Sequence, residues 1–187
     1  MRDYLIDTQI IRYWYDIACP QHAAVIGNVQ KLQALAGSAE HQPRLLVSVI
    51  TLGEIEFGHR VQQHDHPAAQ EAYLRFVNEQ LPDRLELTGD AAAAYGRLRA
   101  RLFNKHAPGG MRKPKMRPEQ LIDPATSLNL QIQENDLWLC AQAVGHRLVL
   151  VSNDAMKPIM AIAEGVNPPL LVENWALPGA VTPNAPA

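Results

Sequence analysis

Cysteine and long apolar runs are both scarce in this 187-residue sequence, and each absence excludes a class of protein. The two cysteines, Cys19 and Cys140, are far apart and form no CxxC pair, so the sequence indicates neither a disulfide framework nor a zinc cluster. No segment approaches the ~20 consecutive apolar residues that cross a bilayer. Asp3 and Asp7 interrupt the amino-terminal region where a signal peptide needs an apolar stretch. We therefore expect a soluble, cytoplasmic protein without membrane contact.

Several common catalytic motifs are also missing. The sequence contains no GxxxxGK[ST] loop, GxGxxG, HExxH or GxSxG, which removes the motif-based cases for nucleotide hydrolases, dinucleotide enzymes, zinc proteases and serine esterases. The triplet at residues 64–66, His-Asp-His, lacks a second ligand pair and predicts a solvated turn rather than a metal site. The aromatic run at residues 13–15 is more typical of a core or protein interface than of base stacking.

The remaining sequence has the composition of a globular α/β domain, with 47% hydrophobic and 19% charged residues. Strands are predicted at residues 4–6, 44–50, 84–87, 147–152 and 170–172. One or two helices are predicted up to residue 36, and further helices from residue 51, at 68–80, at 90–104, at 134–145 and at about 154–163. Their alternation predicts a central, mainly parallel sheet flanked by helices. We expect a single domain over residues 1–172, with a Pro- and Gly-containing insertion at about 105–131 and a loose tail over 173–187.

Basic residues are concentrated in one part of the chain although the formal net charge is only −2. Residues 97–117 contain 8 of the 17 lysines and arginines and no acid, which leaves a formal charge of −10 on the remainder. Such a run is often only a solvated helix end and loop, but it also suits a polyanionic partner.

Four acids are predicted to lie near one edge of the sheet. Asp7 ends the first strand, Glu54 lies in the first turn after the second, and Asp154 follows the strand at 147–152. Asp136 stands in the first turn of the helix that leads to that strand. Each acid alone could cap a helix, and Thr51-Leu-Gly-Glu54 has the spacing of a capping box. Together, four carboxylates would repel one another unless a cation such as Mg²⁺ or Mn²⁺ neutralised them.

Four segments carry a family resemblance. YLIDTQII, TLGEIEFG, ENDLWLCAQA and LVLVSND resemble, in that order, the acidic motifs of PIN-domain ribonucleases, especially the toxins of VapBC-type toxin–antitoxin pairs. The resemblance implies a PIN-like three-layer α/β fold and a metal site formed by the four acids, with Thr8 and Asn153 as supporting polar residues. Gln9 stands where the family usually has asparagine.

The resemblance implies a metal-dependent endoribonuclease that hydrolyses RNA phosphodiester bonds with Mg²⁺ or Mn²⁺. It also implies a homodimer and a small antitoxin that covers or fills the acidic pocket. The basic insertion supplies candidate phosphate-binding residues, which are Arg112, Lys113, Lys115 and Arg117. Two alternatives stay open: a PIN nuclease of RNA maturation or DNA processing, and a non-catalytic RNA- or protein-binding module whose acids cap helices.

Overall fold

The computed structural model describes residues 2–36, 42–61, 67–107 and 116–181. The chain divides into two compact units, one formed by Met1–Glu86, Leu148–Ala155 and Val172–Ala187, the other by Leu87–Arg147 and Met156–Leu171. The prediction of a single domain stays a prediction. Within the described ranges, no helix is long and apolar enough to cross a membrane. The His-Asp-His triplet at residues 64–66 lies outside the described residues.

A five-stranded sheet forms the centre of the first unit. Its strands are β1 (Tyr4–Ile6), β2 (Leu45–Ser48), β3 (Asp83–Leu85), β4 (Val149–Val151) and β5 (Leu171–Glu173), in the spatial order β3-β2-β1-β4-β5. β1 pairs in parallel with β2 on one side and with β4 on the other, and β2 pairs in parallel with β3. All three residues of β1 are fully buried, as expected for a central parallel strand. The predicted α/β class with a mainly parallel sheet is confirmed.

Four helices accompany this sheet: α1 (Thr8–Tyr15), α2 (His22–Ala36), α3 (Val49–Val61) and α4 (Pro67–Gln80). The start of α3 differs from the prediction, since β2 ends at Ser48 and the helix begins two residues before Thr51. The hydroxyl of Ser48 accepts a hydrogen bond from the backbone N–H of Ile50 at 3.0 Å, which satisfies one donor of the first turn. Thr51 is consequently buried inside the helix and does not cap it.

The segment after β5 packs against the first unit instead of forming a loose tail. Trp175 is fully buried, and its ring lies 5.4 Å from that of Tyr4. The buried amide of Asn28 on α2 donates to the carbonyl oxygens of Trp175 (3.1 Å) and Leu177 (2.8 Å) and accepts from the N–H of Val181 (3.3 Å). One side chain thus satisfies three backbone groups of a turn-rich segment, which allows that segment to be buried. Residues 182–187 lie outside the described part.

The second unit contains α5 (Gly89–His106), a short 3₁₀ helix (Pro118–Gln120), α6 (Glu134–His146) and α7 (Lys157–Ala163). Thr88 caps α5, because its hydroxyl accepts from the N–H of Ala91 at 3.3 Å. α7 begins three residues later than predicted, after Met156, which has a positive φ of 46°.

The predicted insertion contains more regular structure than its composition indicates. α5 extends to His106, and an antiparallel bridge joins Ile122 to Asn129. Leu121 is fully buried, so the described part of this segment, from residue 116 onward, contributes an apolar side chain to the core of the second unit, and Ile132 directly after the segment is buried as well.

The sequence predicts that α6 ends at Gly145, but in the structure Gly145 lies inside the helix. The residue with left-handed backbone is Arg147, with φ 58°. A Cβ on Gly145 would lie 3.0 Å from the backbone nitrogen of Ala91 and 3.0 Å from the carbonyl carbon of Asp90. Glycine is therefore needed for the close approach of α6 to the start of α5.

We expect Gly145→Ala to destabilise the protein. The added methyl group meets backbone atoms, at an overpacking cost of about 1–3 kcal/mol that outweighs the ~1 kcal/mol gain in helix propensity. Gly96→Ala is the matched control, because Gly96 lies in α5 and a Cβ there meets no atom within 4 Å. Urea unfolding should give a lower midpoint for Gly145→Ala and an unchanged or higher one for Gly96→Ala. Equal midpoints in the two variants would contradict this account of the helix contact.

Candidate active site

The carboxyl ends of β1 and β4 place two short segments side by side. The strand order reverses at β1, since successive connections lead to β2 and β3 on one side and to β4 and β5 on the other. Such a switch point is where parallel sheets place ligand sites. Ile6 pairs with Val151, so the residues that follow them, Asp7 and Ser152, are neighbours.

Asp7 is buried at this switch point, with 8% of its surface exposed. Its Oδ1 accepts from the backbone N–H of Thr8 at 2.6 Å, and its Oδ2 accepts from the hydroxyl of Ser152 at 2.7 Å. Both carboxylate oxygens are therefore oriented by the protein. Ser152 is not among the residues predicted from the sequence, although its position directly after the strand LVLV is a signal for it.

Glu54 lies on α3 and is half-buried. Its Oε2 accepts from the hydroxyl of Thr8 at 2.5 Å. A capping role for Glu54 is wrong, because α3 begins at Val49 and Glu54 is therefore beyond its first turn. Thr8 is thus a polar link between Asp7 and Glu54, through its backbone and side chain respectively.

Asp154 follows β4 and is exposed. Its backbone N–H donates to the hydroxyl of Ser152 at 3.0 Å, which orders the turn after the strand. Asp154 does not cap α7, because that helix begins at Lys157. The neighbouring Asn153 donates from Nδ2 to the hydroxyl of Tyr13 at 3.5 Å and accepts from the amide of Asn174.

The charges of Asp7, Glu54 and Asp154 interact. We call these three acids the carboxylate cluster. Burial raises the pKa of Asp7 above its ordinary value, and the hydrogen bonds from Ser152 and Thr8 oppose this shift. The negative charges of Glu54 and Asp154 raise the pKa further. The structure therefore brings together three of the four predicted acids closely enough for their charges to interact.

The donor chemistry of the carboxylate cluster suits a hard divalent cation. Carboxylate oxygens are the ligands that Mg²⁺ and Mn²⁺ prefer, and a cation would relieve the repulsion that raises the pKa of Asp7. Within the described ranges, no three His, Cys, Asp or Glu side chains are arranged so that they could hold a metal ion as they stand. The cluster is thus suitable in its chemistry and is not a preformed coordination cage.

Asp136 belongs to the second unit, at the start of α6. Its Oδ2 accepts from the backbone N–H of Gln133 at 2.9 Å, which forms a capping box with that residue. The capping role weighed for this acid is confirmed. Its assignment as a fourth metal ligand stays a prediction.

The basic residues of the range 97–117 fall into two groups: predicted phosphate-binding residues, and residues with hydrogen-bond partners inside the protein. The predicted phosphate-binding residues Arg112, Lys113 and Lys115 lie outside the described residues, and Arg117 is exposed at the 3₁₀ helix. Arg101, in contrast, donates to the carbonyl oxygens that end α7, those of Ile162 and Glu164, at 3.1 Å each. Arg99 also has internal partners, which are the carboxylate of Glu134, the hydroxyl of Tyr95 and the carbonyl oxygen of Met116. Part of the positive charge therefore stabilises the second unit itself.

No family model matches the sequence, and no curated protein is significantly similar to it. Several solved structures share its fold. A chain of VapBC2 from Rickettsia felis, crystallised with a DNA fragment from the promoter, is 22% identical with a TM-score of 0.60, over 94% of this protein and 99% of that chain.

Two further structures give the same result. A chain of VapBC-1 from nontypeable Haemophilus influenzae is 19% identical with a TM-score of 0.59, over 95% of this protein and 100% of that chain. A chain of FitAcB from Neisseria gonorrhoeae is 17% identical with a TM-score of 0.56, over 92% and 97% respectively. At these identities the likeness concerns the fold. The protein has the PIN-like α/β fold that the motifs predict.

The raised pKa of Asp7 predicts how stability depends on pH. Below the unfolded pKa of about 4 the carboxyl is protonated in both states and the raised pKa has no effect. As pH rises through the folded pKa, the unfolded chain releases its proton more readily, so the folded state becomes less stable. Asp7→Asn removes this loss of folding stability at higher pH, because the asparagine side chain does not ionise. In EDTA, its urea midpoint should match that of wild type near pH 3.5 and exceed it at pH 7.

Asp16→Asn is the matched control for that comparison. The hydrogen bond with Cys19 is the largest of the causes that lower the pKa of Asp16. Its ionised form is therefore favoured by folding, and Asp16→Asn should not gain stability at pH 7. A midpoint difference for Asp7→Asn that is the same at both pH values would contradict the assignment.

Proposed function

We propose that this protein is a divalent-metal-dependent endoribonuclease that acts as the toxin of a toxin–antitoxin pair in the cytoplasm. The observation that carries the proposal is the carboxylate cluster at the switch point of a PIN-like fold, where burial and two neighbouring carboxylates raise the pKa of Asp7. A protein that needed Asp7 only as a helix cap would gain nothing from adding Glu54 and Asp154 beside it.

The residues of the site have distinct roles in this proposal. Asp7, Glu54 and Asp154 would hold Mg²⁺ or Mn²⁺, and the four-motif resemblance adds Asp136 to the set. A divalent cation bound there activates water and offsets the negative charge of a phosphodiester. Ser152 and Thr8 hold Asp7 in one orientation through their hydrogen bonds to its two oxygens. Preorganised ligands of this kind avoid reorganisation during the reaction.

The partners in the proposal are RNA, a second copy of the chain and a small antitoxin protein. The solved structures with the same fold include VapBC complexes, which supports an antitoxin. The first unit has large exposed apolar side chains at Ile17 (83%), Phe57 (68%) and Val61 (58%). Such side chains are typical of protein interfaces and support a homodimer or an antitoxin contact.

The nuclease proposal is tested with a matched pair on α3. Glu54→Gln should lower RNA cleavage with Mg²⁺ or Mn²⁺ at least about 100-fold, because it removes a charged ligand at the reacting phosphate. Glu56→Gln is the control, since Glu56 pairs with Arg60 on the surface of the same helix. Asp7→Asn and Asp136→Asn test the other assignments in the same assay. Calorimetric titration with Mn²⁺ provides a reading independent of activity.

Two results would contradict parts of this proposal. A wild type that binds RNA but neither cleaves it nor takes up Mn²⁺ is a binding module. If induced expression of an active wild type leaves bacterial growth unchanged, the enzyme is a housekeeping PIN nuclease and not a toxin. The toxin proposal requires growth arrest with wild type and Glu56→Gln, and normal growth with Glu54→Gln.

Phosphate binding by the basic segment is a separate part of the proposal. Replacing Arg112, Lys113, Lys115 and Arg117 together with glutamine should weaken RNA binding and reduce the slope of log affinity against log salt, by about 0.7 for each lost phosphate contact. Binding is best measured in EDTA by fluorescence anisotropy. An unchanged affinity and slope would remove these residues from the RNA-binding surface.

A further inference from the structure

The side chain of Asp154 is exposed, so its place beside Asp7 depends on the turn that carries it, at residues 152–154. The backbone N–H of Asp154 donates to the hydroxyl of Ser152 at 3.0 Å. The same hydroxyl donates to Oδ2 of Asp7 at 2.7 Å, so one side chain joins the turn to the buried acid. Movement of this turn would displace both the Asp154 carboxylate and the hydrogen-bond donor of Asp7.

The middle residue of the turn, Asn153, has hydrogen-bond partners in two other segments. Its Nδ2 donates to the hydroxyl of Tyr13 on α1 at 3.5 Å. Its carbonyl oxygen and its Oδ1 both accept from Nδ2 of Asn174, at 3.4 Å each. Asn174 directly follows β5, whose last residue, Glu173, accepts with its carbonyl oxygen from the N–H of Ser152 at 3.0 Å. The chain at the end of β5 thus contacts the turn through two consecutive residues.

The segment that carries Asn174 is itself held in place. Oδ1 of Asn174 accepts from the N–H of Ala176 at 2.9 Å, so both ends of the amide have partners and its orientation is set. The next residue, Trp175, is fully buried, and Asn28 on α2 donates to its carbonyl oxygen at 3.1 Å. Asn174 therefore links the exposed turn to a rigid part of the first unit.

Asparagine supplies more at position 174 than the local turn requires. The contact with Ala176 needs only a side-chain acceptor, which aspartate or serine also provides. The amide adds a donor, and both of its contacts are with oxygens of Asn153. Replacing an outer residue that orients metal ligands typically changes metal affinity by about 10–100-fold. The donor of Asn174 is in the right place for such a role.

We propose that Asn174 is a positioning residue of the carboxylate cluster, which holds the turn at 152–154 where the Asp154 carboxylate can bind the same divalent cation as Asp7. The inference rests on the proposed function, because it assigns a role toward a cation at that site. Within the described ranges, no three His, Cys, Asp or Glu side chains are ready to hold a cation. An exposed carboxylate then binds with least reorganisation when its backbone is already in place.

The test variant is Asn174→Ser. A serine hydroxyl can accept from the N–H of Ala176 and keep the local turn, but it is too short to donate to Asn153. The control is Lys31→Met, which removes a bond at the far end of the same segment, where Nζ of Lys31 donates to the carbonyl oxygen of Val181 at 2.6 Å. General loosening of the segment affects both variants, whereas loss of the contact with Asn153 affects only the first. Circular dichroism establishes that both are folded.

The first measurement is amide hydrogen exchange by NMR in EDTA, which requires neither metal nor catalysis. The Asp154 N–H should exchange at least about fivefold faster in Asn174→Ser than in wild type, and at the wild-type rate in Lys31→Met. The second measurement is calorimetric titration with Mn²⁺. Its dissociation constant should rise at least about tenfold in Asn174→Ser and stay unchanged in Lys31→Met.

RNA cleavage adds a reading that a merely structural role would not change. The Mn²⁺ concentration that gives half-maximal cleavage should rise in Asn174→Ser by the same factor as the dissociation constant. At saturating Mn²⁺ the cleavage rate should stay within about twofold of wild type, because the ligands themselves are intact. Loss of folded protein would instead lower the rate at every Mn²⁺ concentration.

The outcomes separate this inference from the proposed function. A wild type that binds Mn²⁺ and cleaves RNA, with unchanged Mn²⁺ affinity in Asn174→Ser, would overturn the inference and leave the nuclease in place. An equal loss of affinity in Asn174→Ser and Lys31→Met would do the same, because it would indicate general loosening. A wild type that neither takes up Mn²⁺ nor cleaves RNA would overturn the proposed function and this inference together.

Discussion

Burial of the Asp7 carboxylate at the end of the central strand is the constraint on which the rest of the site depends. Removing a charged group from water costs free energy, and here the charges of Glu54 and Asp154 increase that cost. The Thr8 N–H and the Ser152 hydroxyl offset part of it by donating to the two oxygens of Asp7. The fully buried β1 supplies apolar packing beneath them. The molecule therefore uses stability from its core to maintain a local concentration of negative charge, an arrangement typical of functional sites.

Local patterns in the sequence were sufficient to predict many of the elements. β1 follows from a short apolar run before Asp7, and the cap of α5 follows from Thr88 before an alanine-rich stretch. The start of α3 was missed although its signal is local, the hydrogen bond from the Ile50 N–H to the Ser48 hydroxyl. The role of Gly145 was not predictable in this way, because it depends on contact with α5, which is distant in the sequence. The segment around Trp175 looks irregular by composition, yet Asn28 on α2 holds it in the core. Tertiary contacts, not local propensity, determine these parts.

The candidate site was predictable to the extent that it follows from topology. Acids that follow parallel strands meet at one edge of the sheet. This rule correctly predicted that Asp7 and Asp154 lie close enough for their charges to interact. Ser152 could be predicted as a neighbour of Asp7 only with knowledge of the register between β1 and β4. The contact of Asn174 with Asn153 could be predicted only with knowledge of how the segment after β5 packs. The sequence alone also could not separate the two roles weighed for Asp136, whose carboxylate the structure places in a capping box.

The position of β1 also has a consequence for how the protein folds. This strand pairs with β4, and the Asp7–Ser152 hydrogen bond spans 145 positions in the chain. Contacts of such sequence separation form late and slow folding, because a long loop must close before they contribute. One edge of the central strand therefore stays unpaired until that loop has closed. Until then the carboxylate of Asp7 is solvated, and its burial beside Asp154 is completed only when β4 has paired.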